Sequence, residues 1–250
     1  MARQQDVRQL RAEHHSDRIR ARLDDRRNHS YLGDAVLGAI DGCVTNFAVV
    51  AGAVGAQFPG VVVVVLGFAN LLADGFSMAA SNYLCTKSQR EHVAKARTEE
   101  HRHIDEVPGG EREEIRQIFA RKGFEGVALD HIVEVITRDR DLWVDTMITE
   151  ELGLPLHGPV PIRAALATFA AFVVAGLVPL VPFLFSVDPG HRFLTSAIAT
   201  GLAFWSVGML KGRALERPIL RSAFETLAIG SSAAALAYVV GATLHAGFGG

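Results

Sequence analysis

Between Asp41 and Asp74 the chain carries no charged side chain, and residues 61–65 inside that gap are five consecutive valines. Residues 60–84 would extend roughly 37 Å as a helix, enough to cross the hydrocarbon of a bilayer. Asp74 lies inside this segment, in the run LLADGFSMAASNYL of residues 71–84. An acid placed there costs at least about 2.5 kcal/mol on the most lenient insertion scale, so it marks a functional position rather than a solvated one. Asn70, Asp74 and Met78 follow one another at intervals of four, which on a helix makes a single, slowly drifting polar stripe.

The rest of the charge is distributed in the same way. No Lys, Arg, Asp or Glu lies between Arg163 and Asp188 or between Arg192 and Lys211, and none follows Glu225. The gaps give five spans, 31–56, 60–84, 162–187, 193–210 and 214–245, the last apolar from Ala223 onward. The expected fold is therefore an all-α membrane protein with five transmembrane helices. Of the 25 Lys and Arg residues, 24 precede the first span, lie between spans two and three or four and five, or stand at the very start of span three or before the apolar part of span five. The positive-inside rule then places the N-terminus and those connections in the cytoplasm and the C-terminus outside. The first thirty residues are rich in Arg and His and lack a short apolar core, so no signal peptide is expected. That points to a bacterial cytoplasmic membrane, with an organelle (vacuolar) membrane as the alternative. A net charge of −2 gives no reason to expect a nucleic-acid partner. Cys43 and Cys85 have neither disulfide nor zinc spacing and read as packing residues.

Span one carries Asp34, Asp41 and Thr45, with Gly33, Gly38 and Gly42 alongside, a spacing that lets another helix approach closely. The short connection 57–60 makes spans one and two antiparallel neighbours and brings Asp41 towards the Asn70–Asp74–Met78 stripe. Pro179 and Pro182 in span three read as a static kink whose freed carbonyls find other partners.

The composition changes between spans two and three. Residues 87–160 hold 16 of the 27 acids, and apolar residues recur there at helical spacing, as in Ile115, Ile118 and Phe119 or Ile132, Val133 and Ile136. Amphipathic helices are expected over 87–106 (continuing straight out of span two), 111–122, 126–138 and 139–152, broken by Pro108-Gly109-Gly110 and Lys122-Gly123. The organisation expected is a cytoplasmic arm over 1–30, helices one and two over 31–86, a cytoplasmic helical metal-binding insertion over 87–160, and helices three to five over 161–250. Within the insertion Glu100 and His103, and Glu111 and Glu114, are three apart, and Met147 and Glu151 four apart, each pair on one helical face. Carboxylates with an imidazole at such spacing on neighbouring helices are how helical bundles hold divalent iron or manganese. For any single pair a solvated face is the plainer reading.

The chain resembles the vacuolar iron transporter family. The resemblance rests on Asp41-Gly42, Ser77-Met78, the acidic helical insertion after span two, the turn Glu151-Leu152-Gly153-Leu154 and the run Pro218-Ile219-Leu220-Arg221-Ser222-Ala223, in that order. It implies a homodimer of five-helix subunits that exports Fe2+, often also Mn2+, from the cytosol in exchange for protons. It further implies metal ligands at Glu100, His103, Glu111, Glu114, Met147 and Glu151, and a membrane path through Asp41, Asn70 and Met78, to which Asp74 is added from the residues themselves. The chain departs from the family pattern in two places: Asn70 stands where a glutamate is usual, with Asp74 one turn further on, and in the insertion His103 stands where a glutamate is usual and Ile148 where a second methionine can occur. Imidazole is a softer ligand than carboxylate, which brings Zn2+ and Co2+ into consideration beside Fe2+ and Mn2+. No permanently bound cofactor is expected. Nor is an enzyme, because spans three to five lack a His, Ser and Asp constellation. The rival reading is a membrane-anchored metal buffer or sensor that transports nothing.

Overall fold

The structure is a computed structural model and describes residues 12, 14–25, 30–185, 188–214 and 216–248. Its helices are α1 (Ser16–Asp25), α2 (Leu32–Gly55), α3 (Gly60–Glu106), α4 (Pro108–Arg121), α5 (Gly126–Arg138), α6 (Arg140–Thr146), α7 (Pro161–Leu177), α8 (Val181–Leu184), α9 (Arg192–Ala214) and α10 (Ile219–Phe248). A π-helical turn, Met147–Glu151, follows α6, and short 3-10 turns cover Val178–Leu180 and Pro189–His191. Among the described residues there is no strand, and five helices are long and apolar enough to cross a membrane: Leu32–Gly55, Gly60–Glu106, Pro161–Leu184, Arg192–Arg213 and Ile219–Phe248. Of the arm expected over 1–30, residues 1–11, 13 and 26–29 lie outside the described residues.

The chain divides into two compact units, Ser30–Thr86 with Val160–Gly250 and Met1–His29 with Lys87–Pro159. In the first, here the membrane unit, α2 is the element around which α7, α9 and α10 pack. Lipid tails are as apolar as leucine, so helices in a bilayer associate through close packing rather than through hydrophobic exclusion. The glycines of span one supply it. A Cβ at Gly38 would collide with the backbone of Thr168, and one at Gly42 with the backbone of Phe172, so α2 and α7 touch main chain to main chain. Gly33 has no neighbour within 4 Å and takes no part. Cys43 is buried against Phe47 and Phe204, whereas Cys85, expected to pack, is exposed. The α2 helix ends in a Schellman motif: Phe58 N–H donates to Ala53 O and Gln57 N–H to Val54 O, with Gln57 at φ 58°. That sharp stop is what makes the expected hairpin into α3.

The prolines of span three break it where expected. Pro182 has no N–H to donate to the turn before it, and the helix tightens into the 3-10 turn Val178–Leu180. The carbonyl of Pro179 instead accepts from the Ser196 hydroxyl on α9 at 2.7 Å.

The second unit contains the insertion. Its core is Ile104, Ile115, Leu129, Val133, Ile136, Trp143, Val144, Met147 and Ile148, the apolar faces of successive amphipathic helices turned on one another. The α3 helix runs without a break from 60 to 106, and the expected boundaries of α4 and α5 hold to within about one turn. The last expected helix, 139–152, does not stay α-helical. Asp139 caps α6 through Asp141 N–H and Leu142 N–H, and then the backbone widens, with Leu152 N–H donating five residues back to Met147 O.

Candidate metal centre

Glu100 and His103 lie one turn apart on α3. The chain reverses at Val107 (φ −137°, ψ 53°), Pro108 opens α4 with a preset φ, and Glu111 falls in its first turn. This reversal returns Glu111 to His103. The imidazole Nδ1 is 3.6 Å from Glu111 Oε1 and 4.0 Å from Glu100 Oε1, and one donor atom from each of the three residues lies within 4.8 Å of the others. An ion held about 2.0–2.2 Å from each donor requires donors roughly 3–4.4 Å apart, so a small inward adjustment completes such a site.

Both carboxylates are buried, Glu100 at 4 % and Glu111 at 6 % exposure, and the Oε2 atom of each has no hydrogen-bond partner among the described residues. A buried carboxylate with unsatisfied oxygens is costly unless it is protonated or meets a cation. The Glu111 carboxyl is accordingly pushed up to about 7, first by burial and then by the negative charges of Glu114 and Glu100, with His103 acting against them. Burial also raises Glu100, helped by the charge of Glu151, and burial followed by the charge of Glu114 raises Glu151. The acids of α3, α4 and the π-turn thus feel one another, although Glu114 and Glu151 are themselves exposed. Met147 differs from the rest. It is wholly buried in the apolar core with Ile104 and Ile115. The Trp143 indole N–H is a further buried group without a hydrogen-bond partner among the described residues.

In the membrane unit, Asp41 on α2 and Asp74 on α3 are both half-buried. The Asn70 amide nitrogen is buried without a partner among the described residues. Met78 packs against the cluster of Val50, Val63, Leu71 and Phe172. Below this stripe is a polar knot that the sequence reading did not single out. The Asn82 side-chain amide donates to Asp34 Oδ1 at 2.9 Å and to Thr168 Oγ1 at 2.7 Å, and the Thr86 hydroxyl donates to Asn82 Oδ1 at 3.3 Å. Its signal was present, since Asn82 and Thr86 continue the same four-residue interval as Asn70, Asp74 and Met78.

The sequence model of the VIT family matches residues 32–242. The chain belongs to the VIT family. Among VIT-family relatives, Vacuolar iron transporter 1 of Oryza sativa subsp. japonica is 36 % identical over 207 residues, 82 % of each chain. Vacuolar iron transporter 1 of Arabidopsis thaliana is 33 % identical over 82 % of each chain. The Vacuolar iron transporter of Toxoplasma gondii is 30 % identical over 96 % of this chain and 85 % of its own. The VIT-family match covers all five apolar helices almost end to end, and the chain is an integral, multi-pass membrane protein.

Proposed function

We propose that this VIT-family chain is a divalent metal transporter that moves Fe2+, and Mn2+ with it, out of the cytosol in exchange for protons, as a homodimer. The observation that carries the reading is the placing of two half-buried acids, Asp41 and Asp74, within helices apolar enough to cross a membrane. An anchor has no use for them, and their cost is repaid only by a cation or a proton. The iron in the names of the relatives supports the choice of cargo. Carboxylate and imidazole suit Fe2+, Mn2+, Zn2+ and Co2+ alike, and the Met78 thioether favours Fe2+ over Mg2+ or Ca2+.

In this reading the insertion faces the cytosol, where the positive-inside rule puts it, and Glu100, His103 and Glu111 capture the ion with Glu114, Met147 and Glu151 contributing around them. Asp41, Asn70, Asp74 and Met78 form the path across. Each carboxylate releases a proton as metal arrives and regains one from the far side as metal leaves, which couples the two fluxes. The names of the relatives point to a vacuolar membrane, and the cytosolic side is the same side in a bacterial one.

A buffer or sensor is favoured by one observation: the Glu100–His103–Glu111 group is assembled wholly inside the second unit and needs no membrane residue. Proteoliposomes separate the two. The transporter moves Fe2+ into the lumen, faster when the lumen is acid, whereas a buffer binds Fe2+ in fixed stoichiometry and leaves the lumen empty of it.

A further inference from the structure

A second charged site lies in the membrane unit, away from the acids of the proposed path. Lys211, Arg217, Pro218, Arg221, Ser222 and Glu225 line a cavity of about 330 Å³ where α9 ends and α10 begins. The two helices are held close there, since a Cβ at Gly212 would press on Ile219 and Ser222, so their ends open a cleft rather than pack it with side chains. Three cations face one carboxylate. Lys211 pairs with Glu225 at 3.7 Å, and neither Arg217 nor Arg221 has an acidic partner among the described residues. The first helical hydrogen bond of α10 runs from Ser222 N–H to Pro218 O at 3.1 Å, so the N–H groups of residues 219–221 precede it and have no acceptor in the helix. Ser222 adds an independent sign of a ligand. It is only 5 % exposed, lines the cavity, and its hydroxyl has no hydrogen-bond partner among the described residues.

The guanidinium groups, the Lys211 ammonium and the helix N-terminus are donors, the Ser222 hydroxyl can donate, and together they outnumber the one carboxylate of the cavity, Glu225, a donor-rich set that suits the oxygens of a phosphate. We propose that this cavity binds the phosphate of an anionic phospholipid headgroup. A lipid rather than free phosphate is indicated by the surroundings. The cavity is at the ends of two helices apolar enough to cross a membrane, and Leu210, Leu220 and Phe224 beside it are each more than half exposed. These side chains suit acyl chains, and basic pockets between membrane helices are a recurrent way of holding anionic headgroups.

The test uses the full-length chain in detergent, titrated with phosphatidylglycerol or with phosphatidylcholine of the same acyl chains and read by native mass spectrometry for retained lipid. Phosphatidylglycerol is expected to be retained at least about fivefold over phosphatidylcholine, and Arg221→Gln to reduce that preference by about fivefold, one basic residue's contribution near a membrane surface. Glu225→Gln removes the one negative charge of the cavity and raises the preference, so the site is read in both directions even where Arg221→Gln folds poorly. Equal retention of the two lipids by the wild-type chain overturns the proposal, as does an unchanged preference in both variants. A parallel arm adds millimolar inorganic phosphate and follows the melting temperature. Stabilisation by phosphate without any preference for phosphatidylglycerol overturns the lipid assignment in favour of a soluble phosphate compound.

Discussion

Asn46, Thr168 and Ser196 of the membrane unit are buried, and each is tied to a backbone carbonyl on a neighbouring segment, Gly176, Asp34 and Pro179 respectively. Glu100 and Glu111 of the insertion are nearly as well buried, yet each keeps one carboxylate oxygen without a hydrogen-bond partner among the described residues. A polar group in a bilayer has no water to turn to, so one without a ligand to receive is best fastened to a carbonyl. In the insertion the same burial prepares carboxylates to receive a cation. Among the described residues the membrane unit has four exceptions, buried side-chain atoms without a partner: Asn46 Oδ1, Asn70 Nδ2, Thr200 Oγ1 and Ser222 Oγ. Those of Asn70 and Ser222 belong to the proposed path and to the basic cavity.

The largest effect should come from breaking this division at Asp41. Asp41→Asn keeps size and some hydrogen bonding but removes the charge that offsets a cation inside the membrane. Metal flux into proteoliposomes is expected to fall about a hundredfold, the equivalent of roughly 2.5–3 kcal/mol of lost ion stabilisation. Metal titration of the same purified variant should be unchanged. Normal flux would remove Asp41 from the path; a parallel loss of binding would mean that the two sets of acids do not act separately.

Next in size is the insertion. Glu111→Gln keeps the shape but cannot supply an anionic oxygen, and metal affinity is expected to fall at least about tenfold. Stability without metal should respond in the opposite sense. Glu111 has a folded value of about 7 against an ordinary 4.5, so between those values the folded chain binds more protons than the unfolded one. The metal-free protein should lose stability as pH rises through that window and level off above about 7. Glu111→Gln should flatten the slope. With metal the trend reverses, because the ion must displace the proton, so affinity climbs with pH up to the same point. Denaturant unfolding of the metal-free protein at pH 5 and pH 8 checks the first part; equal stabilities for the wild-type chain would mean that Glu111 is not held protonated.

The sequence reveals much of this division and conceals a particular part of it. Charge gaps mark the five apolar helices because a bilayer admits few charges, and that signal needs no knowledge of packing. Pro179 and Pro182 give the break in span three for a reason equally local. By contrast, the approach of Glu111 to His103 depends on the turn at Val107, and the burial of Met147 depends on its packing in one core with Ile104 and Ile115, which spacing along the chain does not show. The cavity between α9 and α10 was illegible for a similar reason. Lys211 and Arg217 read as positive-inside residues, and only the close crossing at Gly212 joins them to Ser222.

The smallest effect tests the tied-off half of the comparison, and it has an internal control on the same helix. Ser196 and Ser206 both lie on α9, and each hydroxyl donates to a carbonyl, Ser196 to Pro179 O and Ser206 to Leu202 O at 2.8 Å. The acceptors differ. Leu202 O lies four residues before Ser206 in a continuous helix and keeps its backbone N–H donor when the hydroxyl goes, whereas Pro179 O lies at the break made by Pro182. Ser196→Ala should therefore lower unfolding stability in mixed micelles by about 0.6–1.7 kcal/mol, the range found for hydrogen bonds between membrane helices, while Ser206→Ala should change it by a few tenths at most. Equal losses would mean that the Ser196 hydroxyl does no more than any hydroxyl on a helix, and that the kink in span three is held by packing alone.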